Sequence, residues 1–276
     1  MKTALLQITS SDDPVENLDM VRAMAADAAG QGARFILTPE VTNCVSNSTT
    51  RQHGVLQQED DDITLAGLRC PAARLGVWVL IGSLGIKTHD ADGRFANRSF
   101  MIDPQGQIVA RYDKIHMFDV QVTETETFRE SKNYRPGEQA VIAETDFGKV
   151  GLTICYDIRF PYLHAALAQA GARVLTVPAA FSPVTGAAHW ESLLRARAIE
   201  TGCWVLAPAQ TGEHPSTRGK TRFTHGHSMV VDPWGKVLID AGTDPGIHIF
   251  DLDDSSVTEA RRRVPSLTHV RPFDGP

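Results

Sequence analysis

The stretch KVGLTICYDIRFPY, residues 149–162, contains an apolar run that stops at Cys155 and gives way to a polar turn with an arginine. A short apolar run bounded by turn residues is typical of a buried β-strand. The next segment, PYLHAALAQAG, has the pattern of a helix that closes at Gly171. Strand, turn and helix in this order indicate an α/β fold, in which ligands bind just beyond the carboxyl ends of the strands. Cys155 is therefore either a packing residue or a nucleophile at such a position.

The same alternation runs along the rest of the chain. Further strands are predicted at TALLQI, RFILTP, VWVLIGS, RSFMID, RVLTVP, CWVLAP, GHSMVVD and GIHIFDL, and two more helices at PVENLDMVRAMAADAAGQG and AAHWESLLRARAIETG. No linker or low-complexity stretch interrupts the pattern, so we expect a single α/β domain over residues 1–276. Residues 115–147 are the exception, because they are polar and poor in regular pattern, and loops of that length are often functional.

Composition favours a small-molecule ligand. The 276 residues have a net charge of −6 and contain no long basic run, which argues against a nucleic-acid partner. The start, MKTALLQITSSDD, has too few consecutive apolar residues for a signal peptide or a membrane span, so we expect a cytoplasmic protein with no membrane partner. The cysteines at positions 44, 70, 155 and 203 form no C-x-x-C pair, which favours free thiols over a zinc site or a disulfide framework.

Three reactive side chains follow strand-like runs at the point where each turns polar. Glu40 ends RFILTPE, Lys114 follows GQIVARY, and Cys155 ends KVGLTIC. A base can convert the thiol to a thiolate, and an ammonium can hold the negative oxygen of a tetrahedral adduct, so the set suits acyl transfer. Taken singly, each also has a structural interpretation: a packed cysteine, a helix-capping glutamate and a solvated lysine.

His225 and His227 are two residues apart, a spacing that in a strand puts both imidazoles on one face and raises the question of a metal. No third ligand is spaced to complete a site, so we expect no metal and favour hydrogen-bonded structural histidines.

The segments FILTPE, YDKIHMFD and GLTICYDIRFP resemble, in order and spacing, the glutamate, lysine and cysteine blocks of the nitrilase superfamily of carbon–nitrogen hydrolases. The resemblance continues through TGAAHWESLLRARAIETGCW and HGHSMVVDPWGKV. It implies a four-layer α-β-β-α sandwich, a homodimer formed through helices near the cysteine, and no metal or organic cofactor.

The resemblance also implies a role for each residue. Cys155 would attack the amide carbonyl to form a thioester, with Glu40 as general base, and Lys114 and the backbone N–H of Tyr156 would stabilise the oxyanion. A second glutamate would orient the lysine, and TFRESKNYRPG matches that block best at Glu130. Other glutamates, at positions 124, 126 and 138, lie close by.

The pKa of the Cys155 thiol depends on two opposing effects. A lysine between carboxylates remains charged and lowers the pKa of a nearby thiol, whereas apolar walls raise it. We expect the lysine to prevail once substrate fills the site.

The predicted substrate is a small anionic amide, hydrolysed to a carboxylic acid and ammonia. Within the superfamily, LLRARAIETGCWVLAPAQTGEH and GHSMVVDPWG are most similar to amidases for deaminated glutathione, and RESKNYRPG is closer to omega-amidases for 2-oxoglutaramate. Arg159 is the candidate ligand of a substrate carboxylate, with a structural salt bridge as its alternative, and Phe181 and Thr185 are candidate pocket contacts. The basic loop 211–224 favours the longer substrate through Arg218, Lys220 and Arg222.

Other functions remain open at this point. Nitrilase, carbamoylase and acyl-transfer activities use the same thioester chemistry. A non-catalytic binding dimer with a vestigial site and a thiol redox protein are the alternatives from other classes.

Overall fold

The computed structural model describes residues 1–124 and 126–275. Its strands, in chain order, are β1 Lys2–Gln7, β2 Phe35–Leu37, β3 Trp78–Lys87, β4 Phe95–Ile102, β5 Ile108–Asp113, β6 Asp119–Gln121, β7 Thr127–Arg129, β8 Tyr134–Arg135, β9 Val141–Thr145, β10 Gly148–Leu152, β11 Val174–Thr176, β12 Trp204–Ala207, β13 Thr211–His214, β14 Arg222–His225, β15 Met229–Val231, β16 Val237–Asp240 and β17 Gly246–Asp251. The α-helices are α1 Pro14–Gly30, α2 Thr49–Val55, α3 Ile63–Leu75, α4 Pro161–Gln169, α5 Pro183–Thr201 and α6 Asp254–Arg263.

Two large sheets share one plan, in which three parallel strands are flanked by antiparallel ones. The first sheet has the order β17-β1-β2-β3-β4-β5, with β8 beside β4, and β1, β2 and β3 are parallel. The second has the order β16-β15-β12-β11-β10-β9, and β10, β11 and β12 are parallel. The carboxyl ends of the parallel strands carry the loops that build the site.

Alternation along the strands sorts the apolar side chains into layers. In β1, Leu5 belongs to the cluster between the sheets, whereas Ala4 and Leu6 belong to the cluster beneath α1 and α3. On the second sheet, Leu152 belongs to the same cluster as Leu5, and this cluster continues to Leu194 of α5. Because successive side chains of a strand point to opposite faces, both faces of each sheet are covered. The result is an α-β-β-α sandwich, which confirms the predicted fold class.

Residues 115–147 contain more regular structure than the sequence pattern predicts. Strands β6 and β7 form an antiparallel hairpin between the end of β5 and Glu130. A second hairpin, β13 with β14, lies within the basic loop. Among the helices of the described chain, none combines the length and apolarity that crossing a membrane requires.

Candidate active site

The three predicted strand-end residues meet at one cavity. Glu40 lies three residues past β2, Lys114 directly follows β5, and Cys155 lies three residues past β10. All three line a cavity of about 480 Å³, together with Glu130. Glu40 and Lys114 follow strands of the first sheet, Glu130 follows the β6–β7 hairpin, and Cys155 follows a strand of the second sheet, so the site forms only where the two sheets pack.

Lys114 is held by two carboxylates in a buried ion cluster. Its Nζ donates to Glu40 Oε1 at 2.8 Å and to the Glu130 carboxylate oxygens at 2.9 and 3.0 Å. The lysine side chain is 2% exposed, and burial opposes its charge, but the two carboxylates raise its pKa well above the ordinary value. Lys114 is therefore a fixed cation.

Glu40 remains ionised despite complete burial. Burial raises its pKa, but the charge and hydrogen bond of Lys114, followed by the charge of Arg222, outweigh it, and the net shift is downward. Its Oε2 accepts the Ala180 N–H at 2.8 Å, and its backbone carbonyl accepts Gln210 Nε2 at 3.0 Å. A charged carboxylate next to the thiol is the arrangement that a general base requires.

Cys155 occupies a sharp turn that opens a 3₁₀ helix over Cys155–Arg159. Its φ of 50° lies in the left-handed region, which is unusual outside glycine, and its N–H donates to the Pro178 carbonyl at 2.9 Å. Burial and the negative charge of Glu40 raise the pKa of the thiol well above its ordinary value, while Lys114 acts to lower it. The site thus holds a neutral thiol beside an ionised base, and the expected dominance of the lysine with substrate in place stays a prediction.

Asp157 holds the backbone of this turn through hydrogen bonds. It is fully buried, and its Oδ2 accepts the Ile154 N–H at 2.8 Å and the Tyr112 hydroxyl at 2.6 Å. Its Oδ1 accepts the His116 N–H at 3.1 Å. Because Ile154 immediately precedes Cys155, these bonds hold the backbone that carries the sulfur.

Not every predicted contact residue lines the cavity. Tyr156 and Phe181 do, whereas Arg159 and Thr185 do not. The Arg159 guanidinium lies 5.8 Å from the Tyr156 ring centre and 5.7 Å from that of Phe181. Thr185 sits in α5, and its buried hydroxyl finds no hydrogen-bond partner in the described part of the chain.

The structure also distinguishes among the neighbouring glutamates and cations. Of the acidic alternatives, Glu130 bonds to Lys114, and Glu126 reaches the cavity without contacting the lysine. Of the basic loop, Lys220 and Arg222 line the cavity and Arg218 does not. Arg222 donates to the carbonyl of Ala180 at 3.0 Å, the residue whose N–H binds Glu40.

Sequence reasoning missed several lining residues, including Asn97, Phe118 and Arg129. Asn97 is a polar residue within the mainly apolar strand β4, which is the signal that could have found it. Phe118 and Arg129 belong to the β6–β7 hairpin region, where the sequence shows no usable periodicity.

His225 and His227 do not share a strand face as predicted. His225 ends β14, and His227 lies beyond the strand with a φ of 57°. Their rings stack with centroids 4.5 Å apart. His227 Nδ1 lies 2.8 Å from Asp240 Oδ1, a structural contact. Within residues 1–124 and 126–275, no group of three His, Cys, Asp or Glu side chains is arranged to hold a metal ion.

Comparison with known proteins places the chain in a family. The family model for carbon–nitrogen hydrolase matches residues 2–262. A deaminated glutathione amidase from Yersinia enterocolitica is 39% identical over 269 residues, which cover 97% of this chain and 92% of that protein. The crystal structure of the C. elegans NitFhit protein matches with a TM-score of 0.88 at 33% identity, over 98% of this chain and 65% of that one.

A variant of the amidase from Nesterenkonia sp. AN1 matches with a TM-score of 0.77 at 27% identity, over 98% of this chain and 97% of that one. It carries the acetamide moiety of fluoroacetamide covalently on its active site cysteine. The chain belongs to the carbon–nitrogen hydrolase family of the nitrilase superfamily.

Proposed function

We propose that this protein is a cysteine amidase that hydrolyses a small anionic amide through a thioester on Cys155, with deaminated glutathione as the first candidate substrate. The observation that carries the proposal is the buried Glu40–Lys114–Glu130 ion cluster beside the Cys155 thiol in one cavity. The activity named for the Yersinia relative and the covalently modified cysteine of the Nesterenkonia amidase support it.

The chemistry follows from the charges of the site. Glu40 takes the thiol proton as the Cys155 sulfur attacks the amide carbonyl, and the resulting oxyanion is stabilised by Lys114 and the Tyr156 N–H. The C–N bond then breaks, the proton on Glu40 passes to the departing nitrogen, and the thioester remains. Glu40 next deprotonates a water that attacks the thioester, which releases the carboxylic acid and returns the proton to sulfur. Glu130 keeps Lys114 in place throughout.

The two candidate substrates share their acyl half. Deaminated glutathione and 2-oxoglutaramate both transfer a 2-oxoglutaryl group to sulfur, so their thioester is the same. They differ in the leaving group, which is a dipeptide amine for the first and ammonia for the second. The ammonia expected from the sequence therefore applies only to primary amides, and discrimination must arise on the leaving-group side of the cavity.

Cations at the cavity are suited to the two ends of such a substrate. Arg222 is half-buried and its charge lowers the pKa of Glu40, so we assign it to the carboxylate of the acyl group. Lys220 is exposed and lines the same cavity, so we assign it to the far carboxylate of the longer substrate. Tyr156 and Phe181 form the wall, and Arg159 and Thr185 remain predicted contacts.

The test is release of 2-oxoglutarate and of ammonia, measured separately, from deaminated glutathione, 2-oxoglutaramate, glutamine, an N-carbamoyl amino acid and a simple nitrile. We expect 2-oxoglutarate from deaminated glutathione without ammonia, and no product with Cys155→Ala. Turnover of only the carbamoyl compound or the nitrile would move the enzyme to another branch. No turnover by folded protein would favour the vestigial binding dimer, and a specific disulfide after mild oxidation would favour a redox function.

Charge-removing variants separate the two assigned ends. Lys220→Gln is expected to raise KM for deaminated glutathione about 5-fold and leave KM for 2-oxoglutaramate unchanged, since one exposed ionic contact is lost. Arg222→Gln is expected to raise KM for both substrates. Arg218→Gln is the matched control, because Arg218 belongs to the same loop and does not line the cavity. Equal effects of Lys220→Gln on both substrates would contradict the assignment.

We further propose a cytoplasmic homodimer whose 276 residues form one domain. Pairing of β1 with β17, which joins the two ends of the chain, supports one domain, and the four free cysteines suit a reducing compartment. Exposed apolar side chains on the helices after the cysteine, Tyr162 of α4 and Val184 and Ile199 of α5, support a dimer face.

Light scattering tests the dimer. The wild type is expected at about twice 30.1 kDa and Val184→Glu at the monomer mass. Val15→Glu is the control, because Val15 is equally exposed on α1. A monomeric wild type would contradict the proposal.

A further inference from the structure

Asn97 in β4 lies between the two carboxylates that hold Lys114. Its Nδ2 donates to Glu40 Oε1 at 2.9 Å and to Glu130 Oε1 at 3.3 Å. Its backbone carbonyl accepts the Lys114 N–H at 2.9 Å, and the residue is 2% exposed. One buried residue therefore contacts both acids of the cluster and the backbone of its cation.

The orientation of the Asn97 amide is dictated by these acids. Carboxylates only accept hydrogen bonds, so the nitrogen must face them and Oδ1 must point away. There Oδ1 is buried and has no hydrogen-bond partner among the residues that the structure describes. Leaving a buried acceptor unpaired is destabilising, so the site keeps this orientation at the expense of stability.

Asn17 shows what a buried asparagine with a structural role does. Its Nδ2 donates to the carbonyls of Ser11 and Asn43, both at 2.9 Å, and its Oδ1 accepts the Ser11 N–H at 2.8 Å. Both ends of that amide are satisfied. In the Asn97 amide, by contrast, Nδ2 forms hydrogen bonds to the charged carboxylates of the site, and Oδ1 accepts none from the residues that the structure describes.

We propose that Asn97 is a positioning residue for the base. One of its N–H groups and the Lys114 ammonium both donate to Glu40 Oε1, and the Ala180 N–H donates to Oε2, so the lone pair left for the thiol proton lies on Oε2. Donation to the ionised carboxylate also favours its charged form. The inference rests on the proposed function through the role of Glu40, and it predicts that thiol reactivity responds to Asn97 even in the absence of an amide substrate.

The experiment follows alkylation of Cys155 by iodoacetamide across pH, with the modified peptide quantified by mass spectrometry. In Asn97→Leu, which has similar size and no donor, we expect the acid inflection of the rate to rise by about 1 pH unit, because a hydrogen bond to the ionised carboxylate is lost. We expect the plateau to fall about 10-fold, because Glu40 loses the contact that holds it beside the thiol. The melting temperature is expected to change little, because the unpaired acceptor is removed as well.

The control is Asn17→Leu, which loses satisfied hydrogen bonds and is expected to lower the melting temperature without moving the inflection. Asn97→Asp is the second variant, and a third carboxyl beside Glu40 and Glu130 should reduce the plateau further than leucine does. The proposal is overturned if Asn97→Leu keeps the wild-type inflection, if it fails to fold, or if Asn97→Asp keeps the wild-type plateau.

Amide turnover, measured on the same preparations, separates the two proposals. A shifted alkylation profile in an enzyme that hydrolyses no amide would sink the amidase and keep the role of Asn97. Normal hydrolysis with an unshifted alkylation profile would keep the amidase and overturn the role of Asn97.

Discussion

Replacing Lys114 with methionine removes the cation and keeps the volume of the side chain. Two largely buried carboxylates then face each other without the cation that joins them, since the side chain of Glu40 is 5% and that of Glu130 14% exposed in the present cluster. Removing one partner of a buried ion pair destabilises a protein by about 3–5 kcal/mol. We expect Lys114→Met to lose stability in that range near neutral pH.

The pH dependence of this loss has a definite sign. In the wild type the pKa of Glu40 is lowered, so its contribution is present above its unfolded pKa and is lost as pH falls through the folded pKa. In the variant, mutual repulsion raises the pKa of the carboxylate pair, so the folded variant is stabilised by protonation as pH falls. The difference in free energy of unfolding should therefore be largest near neutral pH and begin to shrink once pH falls below the raised pKa of the pair, above the ordinary glutamate value of about 4.3. It should continue to shrink as pH falls through the lowered pKa of Glu40 in the wild type.

Urea unfolding measures this difference. Both proteins are unfolded at the same protein concentration, because subunit association contributes to the apparent stability of an oligomer. The double variant Lys114→Met/Glu130→Gln removes one unpaired charge and should recover about 1–2 kcal/mol. A loss near neutral pH that persists unchanged in acid, or a double variant no more stable than the single one, would refute the electrostatic account.

Two further predictions concern packing and thiol access. Gly82→Ala should cost about 3 kcal/mol of stability, since a Cβ there would lie 2.0 Å from the Thr38 carbonyl oxygen; an equally stable variant in thermal unfolding would be inconsistent with this close approach. Iodoacetamide should modify exposed Cys70 in the native protein and leave Cys44 untouched until unfolding, because burial raises the pKa of Cys44 to about 12; rapid native labelling of Cys44 in a peptide map would contradict that.

The parts of the site that sequence could predict are those marked by strand ends. Glu40, Lys114 and Cys155 each follow a run whose apolar pattern stops, and a local pattern is enough to place them at the carboxyl edge of a sheet. Their partners are fixed by packing between elements distant in sequence. Asn97 lies within a strand, and nothing local shows that it faces Glu130.

Helix α3 shows a similar limit in the fold. Pro71 and Gly67 weaken its helical pattern, and the helix forms because Asp62 caps it and α1 packs against it. A Cβ on Gly67 would lie 2.6 Å from the Leu18 side chain, so the glycine that weakens the local signal permits the close packing of the two helices.

The division of the site between two sheets has a chemical consequence. Glu40 and Lys114 follow strands of the first sheet and Glu130 follows the β6–β7 hairpin, whereas Cys155 follows a strand of the second sheet, on a turn that Asp157 supports separately. The Ala180 N–H, from the second sheet, is a direct link between them through Glu40 Oε2. The proposed proton transfer from the Cys155 sulfur to the Glu40 carboxylate therefore crosses the interface between the sheets. Perturbations of the core at that interface should reduce thiol reactivity before they separate Lys114 from Glu40, because these two residues follow strands of one sheet and the reacting pair does not.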